Sequence, residues 1–212
     1  MSLDLRRHLP SATFVLVVLL VIAGFVGIFI YIGAYNIAAD APHSKFVYST
    51  LDALRERAIA AHSRDIKVPA DFNDPKRIAA GAGLYNEMCT GCHRGPGLEK
   101  SELSQGLYPP APELALGNKH TPEQMFWIIK HGVKLTAMPA WGKTHDDQLI
   151  WDMVAFIRQL PKMSPEQYKT AVASAPESHE AMMEHMGGVG EEHDTTSKPH
   201  THPAGHAHEH RH

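Results

Sequence analysis

Cys89, Thr90, Gly91, Cys92 and His93 set two thiols three positions apart and follow the second directly with an imidazole. At that spacing both sulfurs can bond to the two vinyl groups of one porphyrin while the imidazole takes an axial position on its iron, the attachment pattern of a c-type haem. These are also the only two cysteines in the chain. A thioredoxin-like dithiol is the rival reading, but it expects a βαβ setting and no histidine directly after the second cysteine. A structural zinc site needs four ligands, and the sequence offers no second cysteine pair.

With His93 as the proximal ligand, the opposite face of the iron needs a donor of its own. Met138-Pro139 sits in a loop between two helical patterns, where a thioether can be aimed without belonging to a helix core. Met125 and Met153 fall on apolar helical stripes and read as packing, while Met88 directly precedes the first cysteine and reaches round a porphyrin poorly. A soft thioether favours reduced iron and closes the coordination sphere, so His93 and Met138 together imply single-electron transfer and not substrate turnover. A haem enzyme such as a peroxidase would need that position open.

The elements that must position these groups are helical. Residues 12–37 contain no charge, and Phe14 to Ile22 form an unbroken apolar run long enough, with its neighbours, to cross a bilayer. Arg6 and Arg7 precede it and Asp40 follows, which by the positive-inside rule leaves residues 1–11 in the cytoplasm and exports the rest. A cleaved signal peptide ending near Ile37-Ala38-Ala39 is the alternative, although signal cores run shorter. Within 44–67, Val47, Leu51, Leu54, Ala58 and Ala61 recur three and four apart and predict a juxtamembrane amphipathic helix with these residues on its apolar stripe. Val68-Pro69 begins an extended link.

Three further helices follow. Asp74-Pro75 caps one that carries Ile78, Ala82 and Tyr85 up to the cysteines, and Thr121-Pro122-Glu123 caps another that stops at Gly132. The last runs from Asp146 to Leu160 and ends at Pro161. Residues 95–117 are rich in Gly and Pro and read as loop. No strand pattern and no internal repeat is present, so the fold class is all-α. A net charge of -3 gives no basic surface for a nucleic acid.

The run Gly81-x-x-x-Tyr85-x-x-x-Cys89-x-x-Cys92-His93, the stretch Phe126 to Trp141 with its Met138-Pro139, and Ile150-Trp151-Asp152-Met153-Val154-Ala155-Phe156-Ile157 together resemble the class I monohaem cytochromes c. The resemblance covers roughly residues 75–160. It implies helices wrapped around one covalently attached haem c, with the first and last crossing where Gly81 and Tyr85 meet Trp151 and Val154. It further implies a contact of Trp127 with a haem propionate, and a carbonyl at Pro109 or Pro110 that accepts from the proximal imidazole. Membrane-borne redox proteins are the partners it implies, on the periplasmic side of a bacterial inner membrane. Lys119, Lys130, Lys134 and Lys143 gather in sequence around Met138, opposed by Glu123, and would steer an acidic partner if they ring the haem edge.

The organisation expected is therefore a cytochrome c domain over 74–161 behind a single-pass anchor, and a disordered tail over 162–212. Residues 175–212 hold nine histidines among polar residues too hydrophilic to fold alone. His200, His202, His206, His208, His210 and His212, spaced by two and four, suit a divalent or cuprous ion, with Met182, Met183, His185 and Met186 as further soft ligands. Two functions compete: an anchored electron carrier, alone or as a subunit of a respiratory or dehydrogenase complex, and a metal-binding or metal-responsive surface protein acting through that tail.

Overall fold

A computed structural model describes residues 11–176. Within them every regular element is helical. α1 (Ala12–Tyr31) is capped by Ser11, whose hydroxyl accepts from the Phe14 amide, and none of its residues is buried. It is long and apolar enough to cross a membrane. The helix ends six residues short of the expected boundary at 37, because Gly33 takes a left-handed conformation (φ 61°) that stops the ladder.

α2 (Lys45–His62) begins at Ser44, as the pattern predicts, but its buried face is rotated from the expected stripe. Ile59, which lies outside the three-and-four pattern, is its one buried helical residue, whereas Leu54 is 64% exposed. The reason is that the face packed on the rest of the molecule is largely polar: Arg55 and Asp52 pair on α2 itself, and Glu56 reaches Lys119 at 3.1 Å. Upstream, the chain is tied to a distant loop. The Tyr35 hydroxyl lies 2.6 Å from His43 Nδ1, and the His43 amide donates to the Tyr108 hydroxyl at 2.9 Å.

The core is built by α3 (Pro75–Met88), α6 (Pro122–His131) and α7 (Asp147–Ile157). α3 starts where Asp74 accepts from Lys76, and α6 starts in a capping box of Thr121 and Gln124. Nine consecutive residues of α7, Leu149 to Ile157, are buried, because α3 and α6 pack on it from different sides. Ile66, Val68 and Phe72 cover one edge of this core, so the segment expected as a link is part of the domain.

α3 and α7 cross at Gly81. A methyl group there would sit 2.6 Å from the Asp152 carbonyl carbon and 2.9 Å from Phe156 Cβ, so only glycine lets the two backbones meet. This corrects the expected partners: the crossing falls on Asp152 and Phe156, with the Tyr85 and Phe156 rings 5.7 Å apart. Trp151 faces the other way and stacks on Phe126 at 4.4 Å, because successive helical positions are 100° apart. Arg77 spans the same crossing. It bonds Asp152 at 2.5 Å, Asp71 at 2.7 Å and the Gln148 carbonyl at 3.3 Å.

The disordered tail expected from residue 162 is also corrected. A 3-10 turn at Leu160–Lys162 leads into α8 (Pro165–Ala173), capped by a reciprocal Ser164–Gln167 box. Tyr168 on α8 is 2% exposed, packs near Tyr85 and Phe156, and donates from its hydroxyl to Asn86 Oδ1 at 3.0 Å. Met163, Ala171 and Val172 pack against the core beside it, so tertiary contacts hold a short helix that its composition alone would not. The histidines from His200 to His212 lie outside the described residues, as do Arg6 and Arg7.

Candidate haem site

Cys89 caps the end of α3, and α4 (Thr90–His93) is a single turn that continues from it. The Cys92 and His93 amides both donate to the Cys89 carbonyl, at 3.2 and 2.8 Å, so the motif is one tight helical bend. Its side chains are fastened from both ends. Thr90 donates to the Asn86 carbonyl at 2.6 Å, and Ser101, the cap of α5 (Glu102–Gln105), donates to the Gly91 carbonyl at 2.5 Å.

Burial pushes the Cys89 thiol up to about 12, and Cys92 beside it raises it further in the same direction. A reactive dithiol needs the opposite, a thiol pulled down into the neutral range, so the site is unsuited to disulfide exchange. Cys89 and Cys92 are not joined to each other. Among the described residues no group of three or more His, Cys, Asp or Glu side chains is arranged to hold a metal ion.

The His93 ring is oriented by Pro112, whose carbonyl lies 2.8 Å from Nδ1. A carbonyl can only accept, so Nδ1 carries the proton and Nε2 is the free lone pair. Burial lowers the His93 pKa below the ordinary value and so favours the neutral ring, the form that ligates. This tautomer and this second contact are what an axial histidine requires. Pro112 also corrects the expected acceptor, which was placed at Pro109 or Pro110. Loop length decided the matter: a 3-10 turn at Leu114–Leu116, anchored by buried Leu114, draws the third proline of the stretch to the ring.

Met138 is half-buried against the core. Its loop closes on itself: the Val133 amide donates to the Met138 carbonyl at 3.1 Å, and the Met138 amide donates to the Thr136 hydroxyl at 3.1 Å. Gly132 makes this possible, with φ 66° and the Met138 carbonyl oxygen 2.7 Å from where a Cβ would stand. Met125 and Met153 are buried core residues, as their stripes predict.

Trp127, on α6, stacks against His62 of α2 at 5.7 Å and tilts toward His131 at 5.2 Å. Of the lysines near Met138, Lys130 is engaged with Asp147 at 2.5 Å and Lys119 with Glu56. Their counterions are therefore Asp147 and Glu56, where the sequence suggests Glu123.

A residue that sequence reasoning passed over completes the site. Arg94 follows the proximal histidine with φ 58°, a conformation rare outside glycine. Its carbonyl accepts from the Tyr85 hydroxyl at 2.5 Å, and its guanidinium pairs with Glu113, the neighbour of Pro112.

Two thiols on one turn, an imidazole held through Nδ1 and the half-buried thioether of Met138 thus lie on one all-α domain. Residues 76–157 match the family described as cytochrome C oxidase, cbb3-type, subunit III. That segment is a c-type cytochrome domain, and the prosthetic group such a domain carries is covalently bound haem c. Comparison with curated proteins and with solved structures gave no match.

Proposed function

We propose that this protein is a membrane-anchored carrier of single electrons. Cys89 and Cys92 would hold the haem through thioethers, His93 would take the proximal position and Met138 the distal one. The observation that carries the reading is the His93–Pro112 contact, which fixes the ring tautomer with Nε2 free on the same turn as the two thiols. The haem supplies a reversible one-electron iron couple; the protein's part is to close both axial positions, keep water from the iron and set the potential.

The exposed, uncharged α1 supports an anchor, and the basic residues before it support export of the domain to the periplasmic face. The family's name supports a place among the respiratory complexes of the membrane, with the cytochrome domain passing electrons to or from an integral partner. Trp127 lies on the helix beside Met138's loop and is the indole we assign to a haem propionate.

The test is an optical spectrum of membranes from cells that express the whole chain with a haem-attachment system, reduced and oxidised, beside Met138→Ala. A c-type reduced spectrum with a far-red sulfur-to-iron band that the substitution abolishes is the expected result. Haem that lacks the band in the unsubstituted protein and binds carbon monoxide would refute the closed iron and the carrier with it.

A further inference from the structure

We propose that the Arg94–Glu113 ion pair is a latch that sets the strength of the His93–Pro112 hydrogen bond and thereby lowers the reduction potential of the iron. The inference rests on the proposed axial role of His93 and adds two positioning residues to it.

The acceptor that orients the imidazole comes from a loop about twenty residues further along the chain, in a stretch with several Pro and Gly residues. Pro112 itself lies between α5 and the 3-10 turn at Leu114–Leu116, outside any helical ladder. Glu113 directly follows Pro112, and Arg94 directly follows His93. The ion pair therefore joins the two residues adjacent to donor and acceptor, and draws the same two backbone strands together as the hydrogen bond does. Both charged side chains are three-quarters buried or close to it, at 20% and 27% exposure, where an ion pair is screened less than at the surface.

The backbone gives an independent sign of the same purpose. Arg94 sits at φ 58°, ψ -170°, a region that disfavours any residue with a Cβ, by roughly 1–3 kcal/mol. Glycine would adopt it freely. The side chain kept there at that expense reaches one partner of opposite charge, Glu113, while the Arg94 carbonyl is held by Tyr85. Strain at this position is offset by the ion pair that its side chain makes.

The chemical consequence follows from the donor. A firm Nδ1–H to carbonyl bond moves electron density onto the ring, makes Nε2 a stronger base and favours ferric iron. With the latch broken, the loop relaxes, the bond weakens and the potential rises.

Two substitutions separate this from a mere field effect. Glu113→Gln removes a negative charge and Arg94→Gly removes a positive one while relieving the backbone. If the pair acts only through space, their midpoint potentials move in opposite directions, up for Glu113→Gln and down for Arg94→Gly. A latch moves both upward. Measured in membranes carrying the full-length holoprotein, both variants should keep the c-type spectrum and both should titrate at higher potential. The His93 Nδ1 proton, followed by NMR on the detergent-extracted reduced protein, should exchange about tenfold faster in each, equivalent to about 1.4 kcal/mol of lost protection. The double charge swap Arg94→Glu/Glu113→Arg should return both readings toward the parent. Opposite shifts, or unchanged potential and exchange in both single variants, overturn the latch. If the parent itself shows no c-type haem, the axial assignment has failed instead, and the two failures are told apart by that first spectrum.

Discussion

At the residue scale, chemistry was easier to read than geometry. Cys89, Cys92 and His93 declare themselves because their function depends on their spacing along one turn, and spacing is what a sequence records. Pro112 and Glu113 do not, because their role depends on how a loop without periodicity folds back. Gly81 lies between these cases. A glycine four residues before Tyr85 signals a close approach, yet which residues of α7 approach it depends on the rotation of that helix, and Asp152 and Phe156 occupy the place expected for Trp151 and Val154. The crossing makes a sharp prediction. Gly81→Ala adds a methyl where backbone already stands, and backbone cannot move aside as the end of a flexible side chain can. We expect a loss of 3 kcal/mol or so in thermal or denaturant unfolding, at the upper end of the usual overpacking cost. A cost below roughly 1 kcal/mol would mean that α3 and α7 lie further apart than described.

At the element scale, helices with apolar stripes on more than one side were legible, and those held by a few contacts were not. α3, α6 and α7 match their predicted spans to within a few residues because caps and period agree. α8 lies outside the expected elements although Ser164, Pro165 and Gln167 form the same kind of start signal as Thr121, Pro122 and Gln124, since Tyr168, Ala171 and Val172 make an apolar stripe only one turn long. Tyr168→Ala should therefore cost 3–5 kcal/mol or so, as large-to-small changes at buried aromatics do, and calorimetry of the holoprotein would show it. α2 failed in the other direction: its pattern was real, but polar contacts decided which face turned inward.

The Arg77 clamp between α3 and α7 predicts a pH dependence of its own. Burial raises the Asp152 carboxyl to about 6, with Asp146 and Asp71 adding in that direction and Arg77 opposing. The folded protein thus binds the Asp152 proton more tightly than the unfolded chain, whose ordinary value is near 3.8. Its contribution to stability is fully present below that value and is lost as pH rises through about 6. Removing Arg77 exposes this sign most clearly. Arg77→Ala strands a carboxylate that is 5% exposed, and at pH 7–8 should cost about 3 kcal/mol, as breaking one half of a buried pair does. In urea titrations the deficit should shrink as pH falls toward about 6, because without Arg77 the Asp152 carboxyl takes up its proton at higher pH than in the parent, and once protonated it no longer needs a cation. A deficit that stays constant between pH 8 and pH 4 would show that Arg77 serves only through its packing.

At the scale of the whole molecule, the buried core and the exposed apolar helix α1 are separate parts of the chain. The core contacts run from Ile59 to Tyr168, and none of them involves α1. α2 stays on the domain through Ile59, Glu56–Lys119 and the His62–Trp127 stack, all of which lie beyond residue 50. A chain begun at residue 40 behind a cleavable export signal keeps every one of these, and also the His43–Tyr108 bond. It should then show the same reduced spectrum and the same melting temperature as the anchored form, but appear in the soluble periplasmic fraction. What it should lose is encounter rate. An anchored domain meets an integral partner at the effective concentration that its thirteen-residue link allows, commonly in the millimolar range, whereas a released domain meets it at its bulk concentration. Electron delivery to washed membranes should thus become first order in added protein and fall steeply below micromolar levels, with restoration at high concentration. Phe46, 78% exposed on the first turn of α2, and the exposed Leu54 give the alternative outcome its basis. If the truncated protein still sediments with membranes in high salt, where surface charge is screened, α2 itself binds the bilayer and the anchor is not the only tether.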